Sequence, residues 1–419
     1  MMELRLDMIV TAVTIFLITY AGIAFGRIPG LMVDRTGIAL LGAIGMIIAG
    51  VVPFESVPEA VHWPTILLLY ALMIISAQLR LGGFYTWSAS RITVFMSRPR
   101  RFLLVSMLLS AVLSALLAND IVCLAFTPVM TVSLLRGGLN PVPFLLGLAV
   151  SSNIGSAATI IGNPQNMLIG QVGNLSFDRF FFWCGPPALV SLLLSYLFIC
   201  RMYRIPRLNR GTHALPASPV RSEKKTVWPE LNRWQSTKGL IAVSILVVLF
   251  FTDIPREIAA IAIAGLLLCS RKMHSREIME LLDWHLLTLF FALFVINEGI
   301  AATDIPQLLV GWLARHGMHM SNLFFLTGIS AAMSNLVSNV PATMLLIRFL
   351  DPAKPVEWYI LAVSSTFAGN LIVIGSIANL IVIEQAKRYG VHISFRDHAR
   401  VGIPVTVLSL LIVIGWVYL

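Results

Sequence analysis

The chain has 419 residues, 58% of them hydrophobic and only 12% charged, with a mean hydropathy of +0.86 and a net charge of +10. Soluble domains run at about 45–50% apolar and about 25% charged, so a soluble enzyme and a DNA-binding factor are excluded and a polytopic membrane protein is expected. The basic excess then reports orientation in the bilayer, and no nucleic-acid partner is expected.

A bilayer core of about 30 Å asks for about 20 apolar residues per helix. In chain order the expected spans are residues 9–25, 36–52, 63–78, 143–170 and 180–203. A basic, proline-containing loop at 204–236 follows, and then spans at 238–252, 258–270, 284–300, 358–383 and 401–419. Two further apolar stretches, 102–135 and 323–350, carry Asn with Asp or Ser in their middle. Each reads as a hairpin of two short helices that enters the membrane and returns. With this assignment 24 of the 30 Lys and Arg fall on one side, which makes that side cytoplasmic and leaves both termini outside. The four cysteines, Cys123, Cys184, Cys200 and Cys269, lie in apolar segments without a CxxC pair, so neither a disulfide framework nor a zinc site is expected.

The chain repeats itself. Leu148-Ala-Val-Ser-Ser152 recurs as Leu361-Ala-Val-Ser-Ser365, and at the same offset of 213 Gly162 meets Gly375 and Asn166 meets Asn379. At offset 216, Ser114 to Asn119 meets Ser330 to Asn335; at offset 221, Trp63 meets Trp284. Each half then holds three spans, a hairpin and two spans. Five crossings is an odd number, so the second half enters inverted. The expected fold is an all-α polytopic membrane protein of two inverted repeats, about ten transmembrane helices plus two re-entrant hairpins with interrupted helices. Its parts are an N-terminal repeat at 1–203, a cytoplasmic loop at 204–237 and a C-terminal repeat at 238–419. Such architecture holds substrate near the midplane.

Four polar clusters interrupt the apolar background. Ala118-Asn119-Asp120 and Ser334-Asn335, with Ser338-Asn339, mark the hairpin tips. Ser152-Asn153, followed by Gly162-Asn163 and Asn166, and Ser365-Thr366, followed by Gly375 and Asn379, mark the adjacent spans. Gly162, Pro164 and Gly375 are placed to break helices. A broken helix in lipid frees backbone groups that need partners, and half-helix ends bind ions. Asp120 is the sharpest residue. A carboxylate inside a membrane segment costs about 2.5–3.5 kcal/mol on insertion scales and is functional by default, and no Lys or Arg lies within ten residues of it. It is the expected coupling carboxylate, whereas Glu298 and Glu384 fall near predicted helix ends, where interfacial solvation explains them.

At these residues the sequence resembles the ion-transporter superfamily, which includes arsenical-pump membrane permeases, citrate permeases, sodium/proton antiporters and divalent-anion/sodium symporters. The resemblance is carried by Asn119-Asp120 running on to Thr127-Pro128, by Asn153-Ile-Gly155 through Thr159 to Gly162-Asn-Pro-Gln-Asn166, and by Trp63 to Ile75. It covers nearly the whole chain outside the loop. In the divalent-anion symporters each hairpin tip carries Ser-Asn-Thr, sodium binds between a tip and the adjacent helix break, and substrate sits between the tips. Carried over, Asn119 and Asn335 match the tip asparagines and Gly162 and Gly375 the breaks, which implies sodium at Asn119/Gly162 and Asn335/Gly375. Ala118, Asp120 and Leu336 depart from that pattern, and Ala-Asn-Asp looks more like the arsenical-pump branch.

The resemblance thus implies a secondary active transporter, not an enzyme, for a small inorganic or organic anion or oxyacid: arsenite-like, citrate- or dicarboxylate-like, or sulfate-like. Sodium or protons would be the coupling ion, with no other cofactor, and the chain would sit in a bacterial-type inner membrane. A sodium/proton antiporter using Asp120 is the alternative; a passive channel and an intramembrane enzyme rank below it. The expected partners are a small-molecule or ion substrate and the lipid bilayer, with a homodimer left open.

Overall fold

A computed structural model describes the chain except residues 1, 27–29, 207–229, 271–272, 304, 306–307, 309–310, 313–314 and 419. The described residues form helices joined by turns, with no strand among them. In order the longer helices are α1 (Met2–Phe25), α2 (Arg35–Ile48), α3 (Trp63–Leu81), α4 (Phe84–Ile92), α5 (Pro99–Leu116) and α6 (Asn119–Arg136). Then come α7 (Val142–Ser156), α8 (Pro164–Val172), α9 (Phe177–Met202), α10 (Arg233–Leu249), α11 (Arg256–Leu268) and α12 (Trp284–Ala301). The last five are α13 (Leu323–Val337), α14 (Asn339–Ile347), α15 (Pro355–Ala368), α16 (Ile377–Lys387) and α17 (Phe395–Trp416).

Local chemistry sets the starts. Asp34, Asn232, Asp283 and Asn322 accept backbone N–H bonds ahead of α2, α10, α12 and α13. Ser394 and Asp397 form a capping box on α17. Proline opens α5, α8 and α15, where its missing N–H costs nothing. Seven described helices are long and apolar enough to cross a membrane. Their outer faces leave large side chains such as Leu17, Phe182, Leu189 and Leu411 exposed, as a lipid-facing surface requires. The protein is an all-α polytopic membrane protein.

The stretch 143–170 is broken into α7 and α8, as Gly162 and Pro164 lead one to expect, and 358–383 is broken beside Gly375 into α15 and α16. Other elements refine the sequence reading. The expected hairpin stretches are interrupted at Leu117–Ala118 and at Ser338, whose φ is 77°. The arms of the first, α5 and α6, have 18 residues each and are not short: either could cross a membrane by length. The loop expected at 204–237 is shorter at its far end, because α10 already begins at Arg233. Asn232 N–H and Ser236 Oγ both bond to Gly82 O, and Gln78 Nε2 donates to Gln235 Oε1, which ties that start to α3. Most of the loop lies outside the described residues.

Helix partnerships recur with the halves exchanged. α5 lies on α7, and α13 lies on α15. α6 lies on α16, and α14 lies on α8; α2 lies on α12, and α11 lies on α3.

Candidate functional site at the crossed helix breaks

Between α7 and α8 the chain runs through residues 157–163, and between α15 and α16 through 369–376, without α-helix. Both breaks are built the same way. Asn166 Nδ2 donates to the carbonyls of Ser156 (3.3 Å) and Thr159 (3.0 Å). Asn379 Nδ2, 213 positions later, donates to those of Gly369 (2.8 Å) and Ile372 (3.3 Å), again 213 positions later. Asn163 caps α8 by accepting from Asn166 N–H, and its match Ser376 caps α16 by accepting from Ala378 N–H. Gly162 has no room for a side chain, since a Cβ would lie 2.1 Å from Ser156 O.

The two breaks then cross. Asn153 Oδ1 accepts from Ser376 Oγ at 2.9 Å, and Asn153 Nδ2 donates to Asn370 Oδ1 at 2.9 Å and Asn379 Oδ1 at 3.3 Å. In return, Thr366 Oγ1 accepts from Asn163 Nδ2 at 3.2 Å and from Gln165 Nε2 at 3.3 Å, while its own proton goes to Ala362 O at 2.7 Å. All of these side chains are buried.

A cavity of about 50 Å³ sits at the crossing, lined by Asn119, Asp120, Asn153, Asn163, Ser338, Asn339, Thr366 and Gly375, with Ser156, Gln165 and Ser376. Eight expected site residues are thus brought together. The other seven stand behind them. Ser152 Oγ donates to Asn119 O at 3.2 Å and pairs with Ser114 Oγ at 2.8 Å. Ser365 Oγ donates to Ala362 O. Gly162, Asn166 and Asn379 shape the breaks, and Asn335 Nδ2 donates to Ala331 O and Ala368 O. The Oδ1 of Asn335 would lie 2.8 Å from a Cβ at Gly375. That oxygen, Ser334 Oγ, Asn339 Oδ1 and Thr343 Oγ1 are buried without a hydrogen-bond partner among the described residues.

A second cavity, of about 210 Å³, shares Asn119, Asp120, Asn163 and Pro164, passes Gly162 and reaches Arg80 and Asp283. Asp120 is half-buried on both cavity walls and has no hydrogen-bond partner among the described residues. Asp283 was not expected here, because an acid before an apolar run reads as a helix cap, which it also is. Arg80 follows the apolar stretch 63–78, where a basic residue reads as a helix flank. His398 is a third addition. Its buried ring meets Asn370 O at 3.1 Å, although no histidine falls in the sequence clusters. Among the described residues no group of three or more His, Cys, Asp or Glu is placed to hold a metal ion.

Comparisons with known proteins show the family of the chain. The family model described as citrate transporter matches residues 15–368. A 46 kDa membrane protein of Mycobacterium leprae is 31% identical over 432 residues, covering 96% of each chain. The silicon efflux transporter LSI3 of Oryza sativa subsp. japonica is 28% identical over 92% of each chain. The inner membrane protein YbiR of Escherichia coli is 29% identical over 83% of this chain and 87% of its own. The chain belongs to the citrate transporter family and is a multi-pass membrane transporter rather than an enzyme.

Proposed function

We propose that the chain is a secondary active transporter that carries a small anion or oxyacid through the crossed breaks, driven by protons or sodium. The observation that supports this best is the crossing itself. Asn153 and Thr366 each bond to the break of the other half around one small cavity that also holds Asp120. A contact in which matched residues swap roles is the mark of a two-fold relation, and in membrane transporters inverted repeats of this kind alternate access around a fixed midplane site. The repeats are residues 1–203 and 238–419, with the connecting loop cytoplasmic, both termini outside and the chain in a bacterial inner membrane.

Two half-helix N-termini, those of α8 and α16, begin beside the cavity and offer N–H groups to an oxyanion or oxyacid. A citrate-, arsenite- or sulfate-like solute suits those donors. The silicon-transporting relative points to an oxyacid, which Asp120 would repel less than it repels a dicarboxylate. Sodium suits Asn335 and Gly375, where the unpartnered Asn335 Oδ1 lies against the break and oxygen is the donor type that hard cations take. The matched pair Asn119/Gly162 is the weaker half, because Asn119 Nδ2 already donates to Asn153 Oδ1 at 3.4 Å. A sodium/proton antiporter is the second reading, favoured by Asp120 and Asp283 sharing one cavity.

Purified protein in liposomes, offered citrate, arsenite, silicic acid and sulfate with and without sodium and proton gradients, tests both readings. Gradient-driven accumulation of one solute supports the first. Sodium-for-proton exchange with no solute moved supports the second, and a solute flux indifferent to both gradients overturns both.

A further inference from the structure

Arg256, the first residue of α11, grips the far end of the half-helix α8. Its guanidinium donates to Leu175 O at 2.7 Å, Gly170 O at 2.9 Å and Gln171 Oε1 at 3.2 Å. The neighbouring Glu257 accepts from Gln171 Nε2 at 3.1 Å. At offset 221, which matches Trp63 with Trp284, Arg256 corresponds to Arg35, the first residue of α2. At offset 213, Gln171 corresponds to Glu384 and Gly170 to Ile383, both in α16. The chain therefore contains the parts of a second such grip, shared between the halves in the reverse sense, with a carboxylate in place of the amide. Yet the Arg35 side chain has no hydrogen bond or ion pair among the described residues and lies against Gly26, while Glu384 is exposed.

The asymmetry matches the access paths. The cavity reaching Asn119 and Asp120 also reaches Arg80, Asp283 and Ile381, at the α16 end. The depression of about 530 Å³ beside Arg256 and Gln171 is lined by none of the crossing residues. The cavity at the site thus extends along α16, the helix whose grip is unmade, whereas the depression beside the grip that is made does not reach the site.

We propose that Arg35 and Glu384 form an ion pair in the protein's other conformation, while Arg256 lets go of α8, so that the two arginines are alternating latches on the two mouths. This rests on the inverted-repeat reading above. Inverted halves that alternate access exchange their local arrangements, so a contact made by one half in one state is made by the other half in the opposite state. Arg35 and Arg256 are positioning residues: they touch half-helices, not the solute. Each latch biases one of two states by the interactions it makes only there.

The test is cross-linking in membranes. In a chain whose four cysteines are replaced by Ala, R35C/E384C and Q171C/R256C are oxidised and scored by gel mobility. Each disulfide is expected to form in a fraction of molecules, and in the quadruple variant the two are expected to exclude each other. Arg256→Gln in the R35C/E384C chain is expected to raise the yield about tenfold, the scale of losing charge-assisted hydrogen bonds. An R35C/E384C bond that never forms, or both bonds in one molecule, overturns the proposal. A second measurement needs no cysteine change: Arg256→Gln in the native chain should slow amide exchange in the last turn of α16, and R35Q/R256Q should abolish that slowing. Equal exchange in native chain and Arg256→Gln overturns it as well. Neither readout uses a solute, so the latches can fail while transport stands, and the reverse.

Discussion

Asn153 and Thr366 stand at matched positions of the repeat, and each bonds to the residue that caps the other's broken helix, Ser376 for Asn153 and Asn163 for Thr366. The cavity between them is bounded by side-chain amides and hydroxyls from both halves, so a change on either side of the crossing is felt by both breaks.

Asp120→Asn keeps shape and hydrogen-bonding capacity but removes the charge. Gradient-driven accumulation in liposomes is expected to vanish, while exchange of solute down its own gradient persists. Parent-like accumulation at every pH tested would make Asp120 structural.

Asn119→Ala and Asn335→Ala remove one tip amide each. Both should weaken the ion dependence of transport at unchanged expression, with Asn335→Ala the stronger, because its Oδ1 is unpartnered among the described residues. Ion titration of initial rates measures this, and two unchanged titration curves would reject the cation sites.

Gly162→Ala forces a methyl group to within 2.1 Å of Ser156 O. The clash is with backbone, so relief must move the break itself. Overpacking of this kind costs about 1–3 kcal/mol, read as a lowered melting temperature in detergent. Gly265→Ala, which meets nothing within 4 Å, is the control and should melt like the parent.

His62 precedes α3, outside the membrane-spanning helix, and its Nδ1 pairs with Thr65 Oγ1 at 2.9 Å. Burial pulls its imidazole below the ordinary value, with Glu257 pulling more weakly the other way. The unfolded chain protonates His62 near about 6.5, before the folded chain does. The unfolded state then binds more protons, and stability falls as pH drops through that value toward the lower folded one. His62→Gln should flatten this part of the melting temperature's pH dependence. An identical profile in the variant would exclude His62 as its source.

Reporter fusions after Arg210 and at the C-terminus should report opposite compartments, cytoplasm for the first and outside for the second. One compartment for both would break the inverted assignment.

Much of this was legible in the sequence because membrane burial leaves few places for polar atoms. Asn, Asp, Ser, Thr and Gly inside apolar runs located both breaks and eight residues of the cavity. What escaped has physical reasons. α4 carries Ser88, Ser90 and Arg91 among its apolar residues and presents no continuous apolar run. Arg80 and Asp283 lie at helix ends, where charge is ordinarily solvated, and only the fold turns them toward Asp120. His398 reaches Asn370 across 28 residues of chain. The grip of Arg256 on α8 needs the register of α11 against the first half, which no local pattern encodes.

The exchanged helix partnerships also govern how the protein is made. α6 finds its neighbour in α16 and α2 finds its own in α12, so the half synthesised first lacks those contacts until the second half arrives. Between Arg136 and Ile377 lie enough codons to occupy a ribosome for roughly 10–50 s at about 5–20 residues per second. For that interval Asn119, Asp120 and Asn153 stand in the bilayer without the chain that later surrounds them. A product cut off at the end of α15 leaves Asn153 without Ser376 and Asn379, its partners from the other half, and with buried amide groups that nothing in lipid satisfies.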